Sequence, residues 1–144
     1  MIKGILTILI LLLLAEVQPT PAQVAVIVHK RTPVDSLTQS ELFDYFSCEV
    51  KTWSNKTPVV VFDLKPQSAI KEVFYEFLGK SASRMKSIWM KKMLMGEGDP
   101  PQALLSEEDV LKKVAATPGA IGFVSKARVH DGVKVVLTIV RNEK

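Results

Sequence analysis

The fold of this chain is decided by the stretch Val59-Val60-Val61-Phe62-Asp63-Leu64-Lys65-Pro66-Gln67-Ser68-Ala69-Ile70-Lys71-Glu72-Val73-Phe74. Its apolar start predicts a buried strand, and a tight polar loop follows it. Ser68 then predicts the N-cap of a helix whose apolar residues recur at helical spacing. A helix start presents unpaired backbone N–H groups and the positive end of the helix dipole, so this junction predicts a site for an anion.

Upstream of this stretch, the sequence predicts a strand and a capped helix. The run Val24–Val28 is apolar and rich in β-branched residues, which is typical of a strand buried on both faces. The polar loop His29–Pro33 follows it. Thr38 and Glu41 then have the spacing of a capping box. The apolar residues expected to pack around this helix are Leu37, Leu42, Phe43 and Phe46.

Downstream of it, Ser81 and Ser106 predict the N-caps of two more helices. Two strands are predicted after them, at Ala120–Val124 and Val133–Val140, and an Asp-Gly turn leaves open an antiparallel direction for the last one. The predicted order is β-α-β-α-α-α-β-β, which indicates an α/β lobe with a small, mostly parallel sheet flanked by helices. The residues predicted to face inward from the helix after Ser81 are Met85, Ile88, Trp89 and Met93.

The N-terminus predicts export. Lys3 precedes an apolar run over residues 5–14, which is shorter than the roughly 20 residues that a membrane-spanning helix needs. Thr20 and Ala22 place small residues at the −3 and −1 positions, so we expect a signal peptide at residues 1–22 and cleavage after Ala22. An uncleaved anchor is the alternative. Residues 23–144 then form one domain, located in the periplasm or secreted, with contact to the membrane only through the signal segment.

Charge and motifs exclude several function classes. The formal net charge is +4 and the basic residues are dispersed, which does not fit a nucleic-acid partner. No acid pair, nucleophile elbow or phosphate-loop consensus is present, so we expect neither an enzyme nor a cofactor. Cys48 is the single cysteine and is interpreted as a half-buried apolar filler. The histidines and cysteine have no metal-site spacing.

The methionines Met85, Met90, Met93 and Met95 form a cluster in the predicted helix after Ser81. Thioether sulfur binds Cu(I), so a copper site is one interpretation of the cluster. Packing in the core is the interpretation that we favour, because methionine fills irregular gaps between helices.

Together, several patterns resemble a known family. They are Leu37-Thr38-x-x-Glu41-Leu42-x-x-x-Phe46, then Trp53, then the valine-rich strand, then Ser68 opening a helix with Phe74, then Pro118–Phe123. In this order and spacing they resemble the substrate-binding proteins of phosphate ABC transporters, which belong to the type 2 periplasmic-binding-protein class. The likeness covers roughly residues 24–125 and points to a short, exported, single-lobe branch of the family.

The resemblance implies a phosphate site at the start of the helix that Ser68 opens. In the family, an arginine and a Ser-Gly-Thr sequence grip phosphate. Here Ser68 matches the serine, Ala69 and Ile70 stand in place of the glycine and threonine, and Leu64 stands in place of the arginine. The nearby cations are Lys65 and Lys71. The expected anion ligands are Ser68, Ala69, Ile70, Lys65, Lys71 and Thr32 from the loop after the first strand.

Two hypotheses for function follow. The first is an exported domain, related to these substrate-binding proteins, that binds phosphate or another oxyanion weakly. The second is an interaction module that kept the fold and lost the ligand. It would bind a protein partner or form a homodimer, and the partner would take the place of the missing second lobe.

Overall fold

A computed structural model describes residues 22–141 of the chain. The predicted signal peptide lies outside the described residues except for residue 22. The ten elements, in chain order, are β1 (Gln23–His29), α1 (Gln39–Phe46), β2 (Val60–Leu64), α2 (Ala69–Leu78), α3 (Ala82–Leu94), β3 (Gln102–Leu104), α4 (Glu107–Ala116), β4 (Ala120–Ser125), a short 3-10 turn (Lys126–Arg128) and β5 (Val133–Val140). Among the described residues, no helix has the length and apolarity needed to cross a membrane.

The strands form one mixed sheet in the order β3-β2-β4-β1-β5. Strand β2 is parallel to both β3 and β4, whereas β1 pairs antiparallel with both β4 and β5. Four strands therefore share one direction and β1 alone runs against them. The predicted α/β lobe with a mostly parallel sheet is confirmed. The last strand, β5, does pair antiparallel, but the strand whose direction is reversed is its partner β1.

The sequence missed strand β3. Residues Gln102–Leu104 follow Pro100 and Pro101, and only Leu104 of the strand is buried. Three residues carry too little pattern to predict a strand, and β3 forms because it pairs with Phe62–Leu64 of β2. The observed order is therefore β-α-β-α-α-β-α-β-β.

The helix starts agree with their predicted caps. Thr38 and Glu41 form the predicted capping box at α1. The hydroxyls of Ser68, Ser81 and Ser106 each accept a hydrogen bond from the backbone N–H three residues later. Such side chains satisfy N–H groups that the helix itself leaves unpaired, which is why a local signal predicts them well.

The core lies on both faces of the sheet. Phe74 of α2 stacks on Phe123 of β4 with ring centroids 3.9 Å apart, and Phe46 of α1 packs against Phe74 at 4.9 Å. The next position back along β4, Gly122, faces the opposite side of the sheet. There Val110 of α4 lies so close to the backbone that a Cβ added at Gly122 would meet it at 2.8 Å. Helices α2 and α4 therefore cover opposite faces of the sheet.

Helix α3 differs from its prediction at one position. Met85 and Trp89 are buried and Ile88 is partly buried, but Met93 is 42% exposed. Trp89 is fixed by a hydrogen bond from its Nε1 to the Phe46 carbonyl at 2.7 Å. The expectation that Met93 faces inward is wrong, because the last turn of α3 is not covered by the core: Leu94 and Met95 beside it are exposed as well.

Candidate functional site

The predicted anion site lies at the start of α2, directly after the carboxyl end of β2. Ser68 has extended backbone, and its Oγ accepts a hydrogen bond from Lys71 N at 3.2 Å. The first backbone bond of the helix joins Glu72 N to Ser68 O at 3.0 Å. The N–H groups of Ala69 and Ile70 precede that bond, so they belong to the set that a helix leaves open to an outside acceptor.

Lys71 is placed beneath this loop. Its residue is only 6% exposed, and its Nζ donates to the Lys65 carbonyl at 3.4 Å. The same Nζ lies 5.9 Å from the centre of the Tyr75 ring. No carboxylate among the described residues lies within ion-pair distance of it. Lys71 therefore supplies positive charge from the buried side of the loop, whereas Lys65 is exposed to solvent.

Asp63 is turned away from solvent. Its Oδ1 accepts a hydrogen bond from Leu64 N at 2.8 Å, and its Oδ2 accepts one from the Tyr75 hydroxyl at 2.8 Å. Burial raises the pKa of Asp63, and the Tyr75 hydrogen bond and the Lys71 charge oppose that rise. The same burial, together with Asp63 itself, raises the pKa of Tyr75. Asp63 is thus held inside the lobe by two hydrogen bonds and does not face solvent.

A cavity of about 270 Å³ lies beside Ser68, where the segments after β2, β3 and β4 meet. It joins the start of α2 to the start of α4. Its lining residues are Leu64, Pro66, Ser68, Leu105, Ser106, Glu107, Glu108 and Arg128. A larger groove of about 680 Å³ extends from Gln67 and Ser68 along α2 to Ala82.

The charges in the smaller cavity are of both signs. Arg128 brings a guanidinium to the cavity that Ser68 lines, and its Nε lies 3.4 Å from a carboxylate oxygen of Glu107. Glu107 also accepts a hydrogen bond from Ser125 N. Sequence reasoning missed Arg128, because the position that the resemblance assigns to an arginine is Leu64, and Arg128 reaches the cavity from a distant segment.

Thr32 does not join this group. Because β1 runs opposite to β2 and β4, the loop after β1 lies at the edge of the sheet where β2 and β4 begin. There Thr32 lines a small cavity with Gly119, which directly precedes β4. The sequence placed Thr32 with Ser68 on the expectation of a parallel β1, and the structure separates them to opposite edges of the sheet.

Other candidate residues have structural contacts. Trp53 is buried, and its Nε1 donates to the Gly119 carbonyl at 2.9 Å. Cys48 is partly buried, its Sγ lies 3.4 Å from the Asp99 carbonyl, and burial raises the pKa of its thiol. Met85 is fully buried in the core, as the packing interpretation expects. Within residues 22–141, no group of three His, Cys, Asp or Glu side chains is arranged to hold a metal ion.

Solved structures show the same fold. A candidate phosphate ABC transporter substrate-binding protein from Clostridium perfringens, solved with bound phosphate, matches 80% of this chain with a TM-score of 0.66 and 24% identity. A phosphate transport receptor from Vibrio cholerae matches 80% with a TM-score of 0.64 and 19% identity. This chain covers 45% of the first structure and 46% of the second, so it spans less than half the length of each.

A third structure, a candidate phosphate-binding protein from Planctomyces limnophilus DSM 3776, matches 80% of the chain at 17% identity with a TM-score of 0.58. No curated protein matches the chain. The sequence profile of the PBP superfamily domain matches residues 22–139, which is most of the chain and nearly all of the described part. The chain therefore belongs to the PBP superfamily domain family, with a lobe like that of phosphate ABC transporter substrate-binding proteins.

Proposed function

We propose that this chain is a binding lobe that takes phosphate or a related oxyanion at the start of α2. The observation that carries the proposal is the buried ammonium of Lys71. Residue Lys71 is 6% exposed, and its Nζ donates a hydrogen bond to the Lys65 carbonyl at 3.4 Å and has no ion pair among residues 22–141. A cation in that position favours a negative charge just above it. The open N–H groups of Ala69 and Ile70 at the same helix start add donors for an anion.

The binding is expected to be weak. Lys65 is exposed and the site is open on one side, so water screens its attraction for an anion. Glu107 and Glu108 also line the cavity that Ser68 shares with Arg128. Both carboxylates oppose an anion, and Glu107 also pairs with Arg128 and offsets part of its charge. A dissociation constant in the millimolar range, about −4 kcal/mol, fits this balance.

Titration of phosphate followed by calorimetry and thermal shift tests the proposal. At phosphate concentrations 100-fold above the dissociation constant, the lobe should gain about 2.7 kcal/mol of stability. Lys71→Met keeps the length and apolar packing of the side chain and should abolish the gain, and Ser68→Ala should reduce it. Lys51→Met is the control, because Lys51 lines neither cavity beside Ser68.

The proposal fails if phosphate and sulfate give no saturable response, or if Lys51→Met and Lys71→Met lower the response equally. The second result would mean that net charge alone attracts the anion.

A second candidate function is self-association, which the exposed end of α3 favours. We define the α3 surface as Lys86, Met90, Lys91, Leu94 and Met95, which together line one shallow groove. Three of them are apolar and exposed: Met90 by 51%, Leu94 by 78% and Met95 by 57%. None of these α3 residues lines a cavity beside Ser68.

The same chain offers a complementary surface at the start of α4. Leu105 is 69% exposed and is followed by Glu107, Glu108 and Asp109 in the first turn of that helix. An apolar residue with acids on one copy matches an apolar patch with lysines on another. Light scattering over a concentration series should show association that Leu94→Glu removes and Val50→Glu leaves intact. A mass that stays monomeric at all concentrations would contradict it.

We also infer that residues 1–22 direct export and that residues 23–144 are the mature domain. The support is the short apolar run followed by small residues at −3 and −1. N-terminal sequencing of the exported protein should begin at Gln23. An intact N-terminus on a membrane-bound product would favour the uncleaved anchor instead.

A further inference from the structure

The amino edge of the sheet, where β2 and β4 begin, contains a second cavity that the proposed phosphate site does not use. Its volume is about 190 Å³, and its walls come from the loop after β1, the loop at residues 53–57 and the turn before β4. A water molecule occupies about 30 Å³ in the liquid, so the cavity has room for one small organic acid with a few waters.

Two side chains of this cavity, His29 and Asn55, already accept hydrogen bonds from nearby backbone. His29 Nδ1 accepts a hydrogen bond from Arg31 N at 3.1 Å, so the neutral ring carries its proton on Nε2. Asn55 Oδ1 accepts one from Thr57 N at 3.0 Å, which leaves the amide NH₂ as the free group. What His29, Asn55 and Arg31 still offer to a ligand is therefore N–H donors.

Thr32 adds a group without a partner. The residue is 4% exposed, and its Oγ1 is buried with no hydrogen-bond partner among the described residues. A buried hydroxyl in that condition costs free energy, because the hydrogen bonds that it made to water are lost and not replaced. Its Oγ1 has almost no exposed surface, so an acceptor in the cavity that Thr32 lines would remove this cost once the side chain rotates about χ1 to face it.

The charge around the cavity is positive. Arg31 lines it, and Lys134 donates from Nζ to the Thr32 carbonyl at 2.7 Å, which places a second cation behind the loop. Lys134 also forms an ion pair with Asp35, whose Oδ1 lies 3.3 Å from the Lys134 Nζ. No Asp or Glu belongs to the residues that line the cavity, in contrast to the cavity beside Ser68.

We propose that this cavity binds a small carboxylate. A carboxylate accepts several hydrogen bonds and suits the planar fork of a guanidinium, which matches the donors of Arg31, His29 and Asn55. The apolar part of the cavity selects an organic acid over an inorganic ion. Trp53 supplies a rigid apolar wall there, because its Nε1 is already bonded to the Gly119 carbonyl.

Acetate is the probe, titrated at constant ionic strength and followed by NMR. The side-chain amide of Asn55 and the indole N–H of Trp53 report from the cavity. The indole of Trp89, bonded to the Phe46 carbonyl, is the internal reference. We expect saturable shifts at Asn55 and Trp53 and none at Trp89.

Three variants locate the binding. Arg31→Gln removes the charged fork and should raise the acetate dissociation constant about tenfold or more. Thr32→Val removes only the hydroxyl and should raise it by about threefold or more. Lys65→Gln makes the same change of charge at the other edge of the sheet and should leave the constant within about twofold.

Three results would overturn the proposal. One is the absence of saturable shifts at Asn55 and Trp53. Another is a loss of acetate binding in Lys65→Gln but not in Arg31→Gln, which would place acetate at the start of α2. The last is tighter binding of sulfate than of acetate with the same shifts, which would assign the cavity to inorganic oxyanions.

Discussion

The two edges of the sheet differ in how their polar groups are satisfied. At the carboxyl edge, Asp63 is hydrogen-bonded to Tyr75, and Lys71 is bonded to the Lys65 carbonyl. At the amino edge, the Thr32 hydroxyl has no partner among the described residues, and the acceptors of His29 and Asn55 are consumed by nearby backbone. The cavity at the carboxyl edge is lined by acids and a base together, whereas the cavity at the amino edge is lined by Arg31 and by no carboxylate.

This difference depends on the direction of one strand. If β1 ran parallel to β4, its C-terminal loop would lie at the carboxyl edge, and Thr32 would stand near Ser68. Because Val28 pairs with Ile121 and Val24 with Ser125, the loop lies at the other edge. One reversed strand therefore divides a single predicted anion site into two separate groups of residues.

The largest effect that separates the edges should come from Gly119→Ala. Gly119 has a φ of +82°, and a Cβ there would meet the Pro58 carbonyl oxygen at 2.1 Å. The clash involves backbone, so we expect a loss of about 3 to 5 kcal/mol in the free energy of unfolding. The change should also disturb the wall that the Trp53 indole forms. Urea denaturation measures the loss.

Gly79→Ala is the matched control for Gly119→Ala. Gly79 has a φ of +75° with nothing within 4 Å of an added Cβ, so only the cost of the left-handed conformation remains, about 1 to 2 kcal/mol. Equal losses in the two variants would show that the backbone contact at the amino edge is not tight.

The next effect tests the carboxyl edge through Tyr75→Phe, which removes the hydroxyl that donates to Asp63. Ionised Asp63 then loses a charge-assisted hydrogen bond inside the lobe, at a cost of about 2 kcal/mol near neutral pH. The pKa of Asp63 is already above its usual 3.8, and the variant should raise it further.

The pH dependence of the Tyr75→Phe penalty has a definite sign. As pH falls through the titration of Asp63 the carboxyl becomes neutral in both proteins, so the penalty should shrink toward acid pH and grow toward neutral pH. Unfolding of both proteins over this pH range measures it. Tyr45→Phe is the control, and a penalty with the same pH trend there would assign the effect to something other than Asp63.

Local signals predicted much of the fold. The four N-caps were predicted because each depends on a side chain and a backbone N–H three residues apart. The terminal strand Val133–Val140 was also predicted with its observed bounds. The run Val24–Val28 predicted a strand buried on both faces, and all five residues are fully buried. These features need no knowledge of the partner element.

Pairing partners were beyond the reach of the sequence. A continuous apolar run indicates burial but has the same appearance in either strand direction, so β1 was predicted without its reversal. The Gln102–Leu104 strand exists only as a partner of β2, and Arg128 reaches the cavity beside Ser68 because of where β4 ends. Site residues contributed by distant segments therefore remained hidden or were misplaced.

A smaller effect on the free energy of unfolding should come from Thr32→Val at the amino edge. The variant replaces a buried hydroxyl that has no partner among residues 22–141 with a methyl group of similar size. We expect the free energy of unfolding to rise by about 0.5 to 1 kcal/mol in the absence of acetate. Thr38→Val is the contrasting control, since it removes a helix cap and should destabilise by about 1 kcal/mol. A loss of stability in Thr32→Val would show that the hydroxyl has a partner in solution.

The smallest effect concerns the acids of the carboxyl edge. Glu108 lines the cavity beside Ser68, is 71% exposed, and pairs with Lys112 at 3.3 Å. Glu108→Gln removes one repulsive charge from that cavity, so phosphate affinity should rise about twofold, and the gain should fade at high salt. Glu97→Gln, a change outside the cavity, should leave the affinity unchanged, and calorimetry compares the two variants. If both raise it equally, net charge governs the attraction; if only Glu108→Gln does, the phosphate lies beside Ser68 and the acids of α4 limit its affinity.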